Sequence, residues 1–503
     1  MMRISLIIIF FFSFIFVSCT KNPGDDPIIV DSGPAMAKFS FLRQQNPGLV
    51  SDIMLNKDGN RFYGSVPVEA QIENMVATIE LSTGSIATIE GNAQESGITK
   101  NDFTQILKYS ILKSGGSTEE YTIDVKKFTG LPIIYIETQN EEVVLSKDDY
   151  VNAHVSVYGG RNFEDIDGDI VIRCRGNSTW YFHPKKPYQI KFNEKAKMLG
   201  MPKDRKWLLL AEYSDKTFLR NRLAYEMGYL SNLEWTPESQ YAEVFMNGVH
   251  VGLYMVVQKV EETSNRVKID EDGYLLEIDQ LDRLDPNDVY FYGEKFLLNI
   301  KEPEIEYNSP EYTYIKGFIE DFEKALFGGN FKDPVNGYQK YIDVESVVDW
   351  YLINEIAKNV DAKDFASIFM YMNPGDKLKM GPIWDFNLGF GNVNYAAPEF
   401  PTGFWVQENA WIHRMLEDPS FALKVKMRFS YFKNKKEALF EMMDEQSLYI
   451  YHSQWINNSI WNVLGQWVWP NAQVFNSYEE EVLYLKDWIE LRLDWLEPEI
   501  NKL

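Results

Sequence analysis

Two stretches near the middle of the chain decide the expected fold, Lys358-Asn359-Val360-Asp361 and Gly381-Pro382-Ile383-Trp384-Asp385-Phe386-Asn387. An apolar run at 368–372, a turn at 373–376 and a second run at 377–380 predict a β-hairpin between them. Pairing about that turn places Asp385 opposite Asp364, so the carboxylates of Asp361 and Asp385 should lie within about 10 Å of each other. Such a pair can supply the base and the metal ligand of phosphoryl transfer. Two solvated loop acids are the alternative interpretation.

The amino-terminal residues are typical of an exported lipoprotein. Arg3 precedes an apolar run at 4–17, which is shorter than the roughly 20 residues of a membrane-spanning helix and has the length of a signal-peptide core. The run ends at Val17-Ser18-Cys19, which resembles the lipobox of bacterial lipoproteins. We therefore expect a signal peptide at 1–18, followed by an acylated Cys19 and a tether at 19–36. An ordinary signal peptide or a buried amino-terminal strand is the alternative.

Composition limits the partners and the location of the protein. The chain has 503 residues, 45% hydrophobic residues, 15% aromatic residues and a formal net charge of −24. This length predicts two or three domains. The acidity argues against nucleic acid and anionic lipid surfaces as partners, so we expect membrane contact through the lipid anchor only. The predicted location is the bacterial cell envelope, anchored to the outer membrane and facing the periplasm or the exterior.

Hydrophobic patterning predicts an α+β chain with two folded domains. Short strands with polar turns at 37–128 are typical of a small β-sandwich of the immunoglobulin type. A second domain is expected at 131–503, with a β-rich first half and a helical part from about 411 onward. Its predicted helices include one at 215–230, which is capped by Asp215. Another begins at Ser309 and Pro310.

Several common catalytic motifs do not occur in this sequence. It has no His-Glu-x-x-His, no Gly-x-Ser-x-Gly, no complete Gly-x-Gly-x-x-Gly and no Walker loop. Zinc chemistry and serine hydrolysis therefore have little support. The acidic stretch 165–169 superficially resembles a calcium loop, but Gly176 stands where the closing glutamate would be, and we interpret it as a hairpin turn.

Five motifs in a fixed order carry a family resemblance. They are Arg175-Gly176-Asn177-Ser178-Thr179-Trp180, Lys185-Lys186-Pro187-Tyr188-Gln189-Ile190-Lys191-Phe192, Leu219-Arg220-Asn221, Lys358-Asn359-Val360-Asp361 and Trp384-Asp385-Phe386-Asn387-Leu388-Gly389-Phe390-Gly391-Asn392. Together they resemble the spore-coat-protein-H (CotH) kinase-like family from residue 131 to the 480s. The resemblance implies an atypical protein-kinase-like fold that transfers phosphate from ATP to protein Ser or Thr with Mg²⁺ or Mn²⁺. It also implies that Asp361 is the catalytic base, Asp385 a metal ligand and Lys191 the lysine that grips the phosphates.

Further cofactor-binding residues follow from the same resemblance. Lys191 lies on the opposite strand face from its apolar neighbours, and Lys186 or Lys185 could take its place. Glu226 is positioned to pair with Lys191, as a kinase helix-C glutamate does, or with Arg222 one turn earlier.

Two further segments of the chain are also candidates for contact with the nucleotide. The stretch that contains Arg175 and Asn177 either closes over the phosphates through backbone amides or forms a plain turn. The segment Gln258-Lys259-Val260 is expected near the adenine by fold analogy alone.

Two positions depart from the expected pattern. Ala366 stands where a kinase loop carries the asparagine for a second metal. Asn387 stands where the family often has aspartate, and it can ligate a metal through its carbonyl oxygen without adding charge. A catalytically weak or inactive surface lipoprotein that acts as a scaffold or binds carbohydrate is therefore the alternative function.

Overall fold

The computed structural model describes residues 33–49, 51–67, 70–127, 130–160 and 162–503. The predicted signal peptide, Cys19 and residues 19–32 of the predicted tether lie outside the described residues. None of the helices in the described part of the chain combines the length and apolar character needed to cross a membrane.

The first part of the described chain consists of short strands around one apolar core. The strands are β1 (Met36–Phe41), β2 (Ile53–Met54), β3 (Asn56–Asp58), β4 (Arg61–Val66), β5 (Met75–Val76), β6 (Thr78–Leu81), β7 (Ile86–Ile89), β8 (Asn92–Gln94), β9 (Lys100–Asn101), β10 (Leu107–Leu112) and β11 (Thr118–Lys127). One sheet has the order β2-β1-β6, and a larger one has the order β3-β4-β11-β10-β7-β8. Aromatic rings fill the core between them, with the Phe39 and Tyr109 rings edge to face at 5.4 Å.

Seven further strands form a closed barrel. They are β12 (Ile133–Thr138), β13 (Val151–Tyr158), β14 (Ile166–Cys174), β15 (Tyr188–Ala196), β16 (Asp204–Leu210), β17 (Ser239–Met246) and β18 (Val249–Gln258). Parallel pairing of β12 with β17 closes the barrel. Tyr188, Ile190 and Phe192 point into its core, as the alternation predicts, so Lys191 points outward. The sequence pattern predicts strands here but not their closure into a barrel.

An antiparallel sheet and the helices complete the fold. The sheet has the order β20-β21-β19-β22-β23, from β19 (Tyr274–Ile278), β20 (Val289–Tyr292), β21 (Leu297–Glu302), β22 (Ile368–Met372) and β23 (Lys379–Met380). The helices are α1 (Ser178–Phe182), α2 (Arg220–Tyr229), α3 (Pro310–Phe327), α4 (Val344–Ala357), α5 (Ala410–Leu416), α6 (Pro419–Asn434), α7 (Lys436–Tyr449), α8 (Tyr451–Trp461) and α9 (Tyr478–Ile500). The predicted α+β class, with a β-rich first half and a helical second half, is confirmed.

Two local predictions are corrected by the structure. Helix α2 begins at Arg220 rather than at 215, because Asp215 binds the backbone and hydroxyl of Thr217 and Phe218 has a left-handed φ of 60°. The β22–β23 hairpin forms as predicted, with Tyr371 opposite Lys379. Strand β23 ends at Met380, however, so Asp385 lies in a loop and not in a strand opposite residue 364.

Candidate active site

A cleft of about 370 Å³ lies between the barrel and the antiparallel sheet. Its barrel wall includes Arg173, Gln189 and Leu208, and its sheet wall includes Leu275 and Lys301. The loops that follow α4 and β23 reach the same space and bring Asp361 and Asp385 to it. The lining is mainly polar and charged, with apolar patches such as Leu208 and Leu275, which suits a charged small-molecule ligand.

Asp361 reaches the cleft because α4 ends just before it. Lys358 has a left-handed φ of 50° and ends the helix. Burial raises the pKa of Asp361 to about 7, with a further contribution from the negative charge of Asp385, while Arg283 opposes the shift. The half-buried carboxyl is therefore tuned toward neutral pH, where a general base works best.

Lys358 also fixes the loop that follows Asp385. Its ammonium group donates to the backbone carbonyls of Ala397, Phe400 and Thr402 at 2.7, 3.0 and 2.6 Å. This set of contacts, the Lys358 carbonyl clamp, ties residues 397–402 to the end of α4.

Asp385 is held in place by helix α2. Its own φ is 60°, a left-handed conformation that costs a non-glycine residue about 1–3 kcal/mol. The next residue, Phe386, donates its backbone N–H to Asn221 Oδ1 at 2.7 Å. Burial raises the pKa of Asp385, and the positive charges of Arg175 and Arg283 oppose this shift.

Three of the other predicted site residues also line the cleft, namely Arg175, Asn177 and Asn387. The guanidinium of Arg175 lies 5.8 Å from the centre of the Trp384 ring. Asn177 Oδ1 accepts a hydrogen bond from Lys147 Nζ at 3.1 Å. The structure thus brings together five of the predicted site residues at one cleft: Asp361, Asp385, Arg175, Asn177 and Asn387.

The predicted phosphate-binding lysines lie elsewhere. Lys191 stands on the outer face of β15, beside Val171 and Lys206, and does not line the cleft. Lys186 donates to the carbonyls of Trp180 and His183 at 2.6 and 2.7 Å. The third candidate, Lys185, is buried and donates to the Ala211 carbonyl at 2.8 Å and to Asn457 Oδ1 at 2.9 Å.

Glu226 and Gln258 are also outside the cleft. Within the described residues Glu226 forms no ion pair with Lys191, and Arg222 instead donates to the Ser239 carbonyl at 3.2 Å. Gln258 is fully buried, and its Oε1 accepts from the Glu238 backbone. The next residue, Lys259, does line the cleft.

Sequence reasoning missed several charged residues of the cleft. Glu212 is buried, and its Oε1 accepts from Asn221 Nδ2 at 2.8 Å. Burial raises the pKa of Glu212 to about 8, with added repulsion from Asp215. Lys301 was also missed, whereas Lys259 and Val260, which belong to the segment expected near the adenine, do line the cleft. The only signal for Glu212 was its proximity in sequence to the motif that contains Asn221.

Comparisons with known proteins place these observations in a family context. A family model described as "CotH kinase protein" matches residues 172–496. A crystal structure described as a secreted protein of Bacteroides fragilis NCTC 9343 is 16% identical, covers 19% of this chain and 100% of its own, and has a TM-score of 0.14. Another, described as a candidate glycoside hydrolase of Bacteroides thetaiotaomicron vpi-5482, is 12% identical, covers 54% of this chain and 84% of its own, and has a TM-score of 0.14. Neither TM-score supports a structural argument, and comparison with curated proteins gives no match.

Proposed function

The chain belongs to the CotH kinase protein family, and on that premise we propose that it transfers phosphate from ATP to a serine or threonine of a protein. The observation that carries the proposal is the position of Asp361 and Asp385 at one cleft, close enough for the charge of Asp385 to raise the pKa of Asp361. Asp361 would accept the proton of the attacking hydroxyl, and Asp385 would bind the divalent cation. Phosphoryl transfer depends mainly on such positioning and charge stabilisation.

The polar groups of the cleft fit a nucleotide with Mg²⁺ or Mn²⁺. Among the described residues no group of three or more His, Cys, Asp or Glu is arranged to hold a metal ion. Mg²⁺ in nucleotide sites usually needs only one or two carboxylates, because phosphates and water complete its coordination. Asp385 and Asn387 would supply the protein oxygens. When bound, the cation neutralises charge that develops on the phosphates.

Positive side chains in the cleft suit the phosphates of ATP. Arg175 points over the Trp384 ring, next to Asp385, and its planar guanidinium can bind phosphate oxygens in pairs. Lys259, just after β18, and Lys301 on β21 add positive charge to the lining. These residues take the place that the sequence analysis gave to Lys191 and Lys186.

Calorimetric titration of the detergent-solubilised full chain with ATP and Mg²⁺ or Mn²⁺ tests this proposal. We expect binding by the wild type and its loss in Asp385→Asn, because the amide removes the anionic ligand of the cation. Asp364→Asn, which changes an exposed acid nearby, should bind like the wild type. Absence of binding by the wild type contradicts the kinase proposal.

A catalytically weak or inactive lipoprotein that serves as a scaffold or binds carbohydrate is the second candidate. Two observations favour it: Lys191 lies outside the cleft, and Ala366 provides no second metal ligand after Asp361. Absence of ATP binding in the same titration would favour the inactive form, whereas a weak kinase would bind ATP and transfer phosphate slowly.

We also propose that Cys19 carries the lipid that anchors the protein in the cell envelope. The support is the lipobox-like sequence before Cys19 and the polar tether after it. Stable anchoring takes more than one acyl chain, so Cys19→Ala should move the protein from the membrane fraction to the soluble fraction. Cys174→Ala is the matched control, since that thiol is buried. Membrane retention of the Cys19→Ala protein would contradict the anchor. The phosphoacceptor, on this proposal, is a protein within reach of the envelope.

A further inference from the structure

Glu212 has an unusual position for a carboxylate. Only 7% of the residue is exposed, yet it lines the cleft. Its Oε2 atom is buried and has no hydrogen-bond partner among the described residues. A buried carboxylate oxygen without a partner is costly, and in native proteins it calls for an explanation such as a bound water or ion.

The backbone at Glu212 is also strained. Its φ is 47°, in the left-handed region that a glutamate rarely adopts. Such outliers persist only when the surroundings enforce them, and they concentrate at ligand and active sites. The adjacent Ala211 carbonyl is fixed by Lys185 at 2.8 Å, which holds the chain in this course.

One asparagine side chain connects Glu212 to the loop of Asp385. Asn221 Nδ2 donates to Glu212 Oε1 at 2.8 Å, and Asn221 Oδ1 accepts from the Phe386 backbone at 2.7 Å. The two carboxylates are near enough for Asp385 to contribute to the raised pKa of Glu212. The neighbouring Asp215, in contrast, already has a partner, because it forms a buried ion pair with Arg220 at 2.6 Å.

We propose that Glu212 and Asp385 together hold one divalent cation in the cleft, with Oε2 of Glu212 as the coordinating atom. The inference deepens the proposed function and rests on it for the role of Asp385. Glu212 would supply, from the β16–α2 connection, a second carboxylate for the cation that Asp385 and Asn387 bind. Two carboxylates with water are a sufficient protein contribution for Mg²⁺ or Mn²⁺.

The test measures Mn²⁺ binding by the full chain without nucleotide, from the electron paramagnetic resonance signal of free Mn²⁺. We expect wild type to bind Mn²⁺ and both Glu212→Gln and Asp385→Asn to lose roughly tenfold or more in affinity. Glu243→Gln is the matched control, because Glu243 is a buried glutamate of the barrel outside the cleft, and it should bind like wild type.

Glu212→Asp keeps the test decisive if the glutamine variant does not fold. Its shorter side chain should also weaken Mn²⁺ binding, with an unchanged thermal unfolding midpoint. Wild-type affinity in the Glu212 variants, or no Mn²⁺ binding by wild type, would overturn the inference. Failure of the kinase proposal is separate, since it would appear as absence of ATP binding in calorimetry.

Discussion

Asp361→Asn is expected to transfer phosphate about 10²- to 10⁴-fold more slowly than wild type, the usual contribution of a general base. The amide has the same shape as the carboxylate but cannot take a proton from the attacking hydroxyl. Asp361 sits in a half-buried position where burial raises its pKa to about 7, so the wild-type carboxyl can accept a proton near neutral pH.

Binding of ATP should survive this substitution, because Asp385, Asn387 and Arg175 are unchanged. The measurement is incorporation of labelled phosphate from ATP into casein and into the chain itself, alongside calorimetry of ATP. Asp364→Asn is the control for a nearby exposed acid. A transfer rate within about tenfold of wild type would show that Asp361 is not the base.

Arg492→Met should lower the free energy of unfolding by about 3–5 kcal/mol, which is the usual cost of removing one partner of a buried ion pair. Arg492 and Glu355 are fully buried and 2.6 Å apart. Arg492 also donates to the carbonyls of Pro401 and Gly403 at 2.8 and 2.7 Å. Methionine fills similar volume but leaves these carbonyls without their donor and the buried Glu355 carboxylate without its cation, with only the backbone N–H groups of Trp405 and Gln407 still donating to it.

Urea denaturation measures this loss. Lys433→Met is the control, because Lys433 on α6 forms a surface ion pair at 2.6 Å with the exposed Glu497, which lies on the same helix, α9, as Arg492. Exposed ion pairs contribute about 0–1 kcal/mol, and a loss of that size for Arg492→Met would contradict the prediction.

Local patterns predicted the secondary structure well where few outcomes were possible. Ser309 caps α3, Gly328 ends it, and its apolar stripe is buried, because these signals act within a few residues. Closure of the barrel was not predictable from the sequence. Strands β12 and β17 pair although more than 100 residues separate them, and each strand would show the same alternating pattern in an open sheet.

The candidate site was likewise predictable only in part. Strand alternation predicted that the Lys191 side chain points away from the barrel core. It did not predict which residues of β15 border the cleft. Gln189 lines the cleft, and Lys191 lies two residues further along, about 6.6 Å away at the usual strand rise. Asp361 and Asp385 do share the cleft, although β23 ends at Met380 and Asp385 is not paired in the hairpin that was used to bring them together. Glu212 carries no motif of its own, and only the fold brings it beside Asn221.

The Lys358 carbonyl clamp has a thermodynamic consequence for ligand affinity. Fixing the backbone of one residue costs about 1–2 kcal/mol in conformational entropy. Because Lys358 ties the carbonyls of residues 397–402 to α4 in the chain without ligand, that entropy is lost during folding. Residues 397–402 do not line the cleft themselves, but they belong to the chain that continues from Asn387 and Leu388, so ligand binding does not have to order this segment.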